Sequence, residues 1–95
     1  MNIAIIGGSG HYNFVLEALA MRPELRLCAV APADGDEDIS GLLAACRAHD
    51  IAPQIHESAG ALLDAHPEIE LAAVNPWFSR AADVSIACLK RGVHV

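Results

Sequence analysis

Asn2-Ile3-Ala4-Ile5-Ile6-Gly7-Gly8-Ser9-Gly10-His11-Tyr12 holds the junction on which the fold of this chain turns. The segment from Asn2 to Ile6 is apolar almost throughout, without the alternation of a half-exposed strand. That is what a strand shows when helices cover both faces of its sheet. Glycines interrupt the run, and Tyr12, Val15, Leu16 and Leu19 then recur at i, i+3, i+4 and i+7, the spacing of one helix face. The stretch reads as strand, glycine turn, helix, with the helix ending near Arg22 because Pro23 disfavours a helical residue before it.

The same unit repeats outward from this junction. Leu25 to Ala31 reads as a second strand, closed by Pro32 and an acidic turn. Ile39, Leu42, Leu43 and Cys46 give a second helix that fades by Asp50, with acids expected in its first turn where the helix dipole favours them. Pro53 to His56 is short and polar, a strand suited to a sheet edge where proline is tolerated. Ser58 is placed to cap a short helix carrying Leu62 and Leu63, which Pro67 ends. Leu71 to Val74 is a fourth strand and Asn75-Pro76 a turn. Ala82, Ile86 and Leu89 mark the apolar face of a last helix running to Lys90, Arg91 and Gly92, and Val93 to Val95 begins a fifth strand. Alternation of this kind predicts an α/β fold, a Rossmann-type doubly wound parallel sheet in three α-β-α layers. Right-handed crossovers give the strand order 3-2-1-4-5. A crevice is expected where strands one and four part, at the level of Gly7 to Gly10 and Asn75 to Phe78.

Composition narrows the function classes. The chain has 95 residues, 54% of them hydrophobic and 19% charged, enough apolar surface for one domain with its own core. No apolar run approaches the about 20 residues that span a bilayer, and the N-terminus lacks the basic region and cleavage site of a signal peptide. A cytoplasmic location is the expectation. Net charge is −6, with 12 acids against 6 bases and Lys90 the only lysine, so nucleic acid is an unsuitable partner. The 3 cysteines, Cys28, Cys46 and Cys88, are widely spaced and read as reduced core residues. His49, His56, His66 and His94 show no metal-ligand spacing, and no metal site is assigned.

Gly8-x-Gly10 lies directly after a strand and before a helix, the context in which a glycine pair becomes a phosphate-binding fingerprint. Gly8 would permit the tight turn and Gly10 the close approach of a pyrophosphate, met by backbone N–H groups and the helix dipole. Ser9 adds a hydroxyl, and His11 could donate to phosphate or simply be a solvated N-terminal residue. Asn13 occupies the third glycine position of the fingerprint. The alternative is a glycine turn that links strand to helix and holds no ligand. Dinucleotide sites place an acid at the end of the second strand for the ribose hydroxyls. Here Pro32 stands there, and Asp34 is the nearest carboxylate, able to substitute only if the turn brings it back. Four acids lie between Asp34 and Asp38 while no Arg or Lys lies between Leu27 and Arg47, a field that favours NAD over NADP. The same acids could equally serve only to solvate a loop and cap a helix.

Ile3-Ala4-Ile5-Ile6-Gly7-Gly8-Ser9-Gly10, Asn75-Pro76-Trp77-Phe78-Ser79-Arg80 and Ala87-Cys88-Leu89-Lys90-Arg91-Gly92-Val93-His94-Val95 together resemble the N-terminal domain of the glucose-fructose oxidoreductase and inositol dehydrogenase (Gfo/Idh/MocA) family. Family members read T-P-N-x-x-H after the fourth strand and close the following helix with A-G-K-H-V. In this sequence Asn75 stands for the Thr and Arg80 for the His. The resemblance implies that residues 1–95 form the dinucleotide-binding domain, ending before an E-K-P motif whose lysine serves the active site and before an α/β substrate domain that often mediates oligomerisation. It further implies that Gly8, Ser9, Gly10 and His11 touch pyrophosphate, and that Asn75, Pro76 and Trp77 border the nicotinamide. Trp77 and Phe78 would form a stacking wall for nicotinamide or a sugar, or else plug the junction with a second domain. The function expected is that of an NAD(P)-dependent oxidoreductase passing hydride to or from a sugar- or polyol-like substrate, with no catalytic residue in this chain. A non-catalytic sensor or regulatory module, and a semialdehyde-dehydrogenase-type enzyme whose cysteine lies elsewhere, are the alternatives.

Overall fold

The computed structural model describes residues 1–75 and 78–95, with backbone alone for Phe78 and Ser79. Strands β1 (Asn2–Ile6), β2 (Arg26–Ala31), β3 (Gln54–Ile55) and β4 (Leu71–Val74) alternate with helices α1 (Tyr12–Met21), α2 (Ser40–Ala48), α3 (Ala59–Ala65) and α4 (Phe78–Lys90). The sheet is parallel, in the order β3-β2-β1-β4. This is a Rossmann-like arrangement with the reversal between β1 and β4 that the sequence predicts. The expected fifth strand does not form as such. In its place His94 makes one parallel bridge to Leu71, with Ala72 N–H donating to the His94 carbonyl at 2.8 Å and His94 N–H to the Glu70 carbonyl at 2.9 Å. The bridge lies on the outer side of β4, where a fifth strand would add. Among the described residues no helix is long and apolar enough to cross a membrane.

Each face of the sheet has its own core. Ile3, Ile5, Leu27 and Val30 pack with Leu16 and Leu19 of α1 and with Ile39, Leu42 and Cys46 beside and along α2. Ala4, Ile6, Ala29, Ala31 and Ala72 pack with Leu62 and Leu63 of α3 and with Val84 and Cys88 of α4. Side chains alternate along β1, but β2 changes phase. Its register with β1 slips between Ile3, which faces Leu27, and Ala4, which faces Ala29, leaving Cys28 as the extra residue of a β-bulge. The bulge explains why Leu27 and Val30 share a face, a spacing that regular alternation forbids.

Local chemistry sets the helix ends. The Ser58 hydroxyl accepts the Ala61 N–H at 3.1 Å and caps α3 as expected. The acids before α2 do not enter its first turn. The Asp38 carboxylate accepts the Ser40 N–H at 2.8 Å from outside the helix, and this bond holds its carboxyl below the ordinary range. Asp50 takes the left-handed conformation, φ 57°, and Ile51 N–H returns to the Cys46 carbonyl. Among the described side chains of α4 the buried ones are Val84 and Cys88, whereas Ile86 is 50% and Leu89 60% exposed. The stripe marked by Ala82, Ile86 and Leu89 therefore faces away from the sheet. The helix carries two apolar stripes, and the one bearing the smaller side chains fits against the alanine-rich sheet face.

Candidate functional site

The C-terminal ends of β1, β2 and β4 bring together the loops that carry the candidate residues. The tight turn after β1 is made at Gly7, φ 95°, whose N–H donates to the Ala31 carbonyl at 2.8 Å. The turn was expected at Gly8. Gly8 is small for a different reason: a Cβ there would stand 3.1 Å from Ile39 Cγ2 and 3.3 Å from Ile39 Cα. At Gly10 a Cβ would meet nothing within 4 Å among the described residues, which leave that side of the loop open.

Part of the amide cradle is engaged within the protein. Gly8 N–H donates to Glu37 Oε2 at 3.2 Å, and the other oxygen, Oε1, accepts from Ala33 N–H at 2.9 Å. Ser9 gives both its N–H and its hydroxyl to the Asn75 carbonyl, each at 3.0 Å. Asn75 N–H in turn donates to the Ile6 carbonyl at 2.7 Å. The tips of β1 and β4 are thus laced together for a residue beyond the last regular pair, where the sequence predicts that they part. Among the described residues, the N–H groups of Gly10 and His11 have no hydrogen-bond acceptor. Both lie at the start of α1, where the dipole favours negative charge. The His11 ring is exposed and stacks on Phe14, with centroids 5.7 Å apart.

Asn75 supplies a second unused donor. Its Nδ2 is buried and without a partner among the described residues. A buried donor left unpaired costs about 1–3 kcal/mol, so an acceptor brought to it recovers that penalty. Pro76 and Trp77, expected beside Asn75, lie outside the described residues.

Asp34 does return toward the site, yet its carboxylate is held by Arg80 of α4, Nε to Oδ2 at 2.9 Å, and Arg80 also lies 3.9 Å from Asp83. The charge beside the second strand is therefore not uniformly acidic, as the local sequence suggests. Glu37 is the residue that sequence reasoning missed. It belongs to the acidic run, but only the turn after Pro32 selects it, rather than Asp34, to reach the glycine loop. Its carboxylate bridges the glycine loop and the turn after β2 through the Gly8 and Ala33 amides.

The structure also joins two histidines that look scattered in the sequence. His56 and His66 meet through their Nε2 atoms at 2.8 Å, and His66 Nδ1 lies 2.9 Å from Glu68 Oε2. Helix α3 spans the interval between them, which hides the pairing from any local spacing rule. Among the described residues, no group of three or more His, Cys, Asp or Glu side chains is arranged to hold a metal ion. All three cysteines are free. Cys46 and Cys88 are buried, and burial pushes both thiols up, whereas Cys28 is half-buried at its bulge.

The chain is similar over 99% of its length to a solved structure from Thermotoga maritima described as a "putative oxidoreductase", with a TM-score of 0.90 and 28% sequence identity. It spans 28% of the length of that chain. No protein-family model matches the sequence, and no curated protein matches it. Fold and similarity together define a Rossmann-like α/β domain similar to one part of a protein described as an oxidoreductase.

Proposed function

We propose that this chain is the NAD-binding portion of an oxidoreductase of the Gfo/Idh/MocA kind, whose parent protein moves hydride to or from a sugar- or polyol-like substrate. The observation that carries the proposal is the set of unused donors at the topological switch point, namely the amides of Gly10 and His11 and the buried Nδ2 of Asn75. A ligand with acceptors at both places suits that set. The open side of Gly10 leaves room for a diphosphate to approach the backbone.

The residues fit such a group with a division of labour that differs from the fingerprint. Gly10 and His11 would hold the diphosphate, Glu37 the hydroxyls of the adenosine ribose, and Asn75 a carbonyl or hydroxyl at the nicotinamide end. Gly8 and Ser9 would shape the loop through their bonds to Glu37 and Asn75. The bound cofactor would supply the hydride chemistry. Glu37 also favours NAD, because a 2'-phosphate beside its carboxylate would meet like charge, while the positive charge of Arg80 is already shared by Asp34 and Asp83.

Titration of the chain with NADH and NADPH, followed by quenching of Trp77, the only tryptophan, tests the reading. NADH is expected to bind more tightly than NADPH, and Glu37→Ala to narrow the difference. Binding of neither cofactor would overturn the proposal. That result would favour the second reading, a non-catalytic module, which the engagement of the Gly8 and Ser9 amides within the protein already suits.

A further inference from the structure

We propose that His56 and His66 form a two-histidine site for a divalent transition-metal ion of the zinc or copper type, independent of any dinucleotide. The two Nε2 atoms converge at 2.8 Å with their rings nearly perpendicular, at 81°. Two imidazoles can meet this closely only if one nitrogen presents a lone pair and the other a proton, or if something else bridges them.

Glu68 determines which nitrogen presents the lone pair. Its carboxylate faces His66 Nδ1 at 2.9 Å, so Nδ1 carries the proton and Nε2 points a lone pair at His56. A carboxylate behind an imidazole is the arrangement that orients metal-binding histidines and raises their basicity. Both histidines are fixed through their backbones. His56 N–H donates to the Val30 carbonyl at 2.9 Å and His66 N–H to the Leu62 carbonyl at 3.0 Å.

The geometry needs little adjustment. Metal–imidazole bonds of about 2.0–2.1 Å at a tetrahedral angle place the two nitrogens about 3.3 Å apart, roughly half an ångström beyond their present separation. Side-chain rotation supplies that opening, and His56 takes its proton on Nδ1 as the metal takes the lone pair on Nε2. His66 is only 8% exposed and, with Glu68, borders an open polar pocket of about 430 Å³, while His56 is half-buried outside that lining.

The test uses the tag-free chain stripped with chelator and titrated with Zn²⁺ in competition with a chromogenic chelator, and with Cu²⁺ read by electron paramagnetic resonance. One equivalent is expected to bind in the micromolar range, with nitrogen hyperfine structure from two imidazoles. His56→Ala should lower affinity roughly tenfold or more and remove one nitrogen, and Glu68→Gln should weaken binding by about tenfold. Exposed His49 serves as the control, and His49→Ala should change nothing. His66→Ala removes a buried side chain and could fail to fold, so the half-buried His56 carries the test, with circular dichroism confirming its fold. Absence of one-to-one binding, or binding that His56→Ala leaves unmoved, would overturn the proposal and assign the pair to an ordinary hydrogen bond. Neither result bears on NADH binding.

Discussion

Gly8 and Gly10 are two positions apart and chemically identical, yet their surroundings assign them different jobs. Gly8→Ala places a Cβ against the backbone and side chain of Ile39. It is expected to cost about 1–3 kcal/mol in denaturant unfolding, as overpacking does. Gly10→Ala adds a methyl to open space, and its effect on stability should stay within about 0.5 kcal/mol. Gly10→Ala is nevertheless expected to weaken NADH binding. Equal destabilisation by both substitutions would contradict this division. The cysteines differ in the same way. Cys28 should react first with a thiol reagent in the native protein, while Cys46 and Cys88, with thiols raised by burial, should react only as fast as the chain opens. Glycine spacing and the apolar setting of Cys46 and Cys88 are legible in the sequence. The choice of Glu37 over its acidic neighbours is not, because it depends on how one turn bends.

At the level of elements, caps were easier to read than faces. Ser58 precedes a short apolar helix, and a local hydroxyl-to-amide bond needs no distant partner to form. Ser58→Ala should lower stability by about 1 kcal/mol, and a measured loss near zero would mean that α3 is held by packing alone. Spacing alone does not select the buried face of α4, because Ala82, Ile86 and Leu89 satisfy helical periodicity as well as Val84 and Cys88 do, and only the facing sheet chooses between them. Asp38 and Glu68 add a dependence on pH. Both have carboxyls lowered in the folded state by hydrogen bonds, Asp38 by the Ser40 backbone and Glu68 first by His66. Their contribution is therefore present above the unfolded values, about 4, and is lost as pH falls through the lower folded ones. Stability should decline on acidification below about pH 4.5, and Glu68→Gln should flatten part of that decline. An unchanged acid limb in Glu68→Gln would remove His66 as a partner of consequence.

For the molecule as a whole, the sheet separates two cores that must form together. Leu42 on one face and Leu62 on the other are both fully buried. Leu42→Ala and Leu62→Ala are each expected to cost about 2–5 kcal/mol. Their effects should add to within about 0.5 kcal/mol, since the side chains share no contacts across the sheet. A large coupling in the double variant would mean that the strands transmit strain from one face to the other. The two faces are also covered unequally. Ile3, Phe14, Val15, Leu19, Leu71 and Ala73 line a shallow apolar groove beside β4, and Phe14 remains 68% exposed. Strand and helix periods, the glycine turn, the Ser58 cap and the reversal between β1 and β4 were all readable from residues alone, because each depends on neighbours in the chain or on the handedness of the polypeptide. The bulge at Cys28, the grip of Glu37 on Gly8, the pairing of Asp34 with Arg80 and the meeting of His56 with His66 emerged only on folding. Each joins residues whose separation is set by the packing of helices and strands between them, and short-range pattern carries no record of that distance.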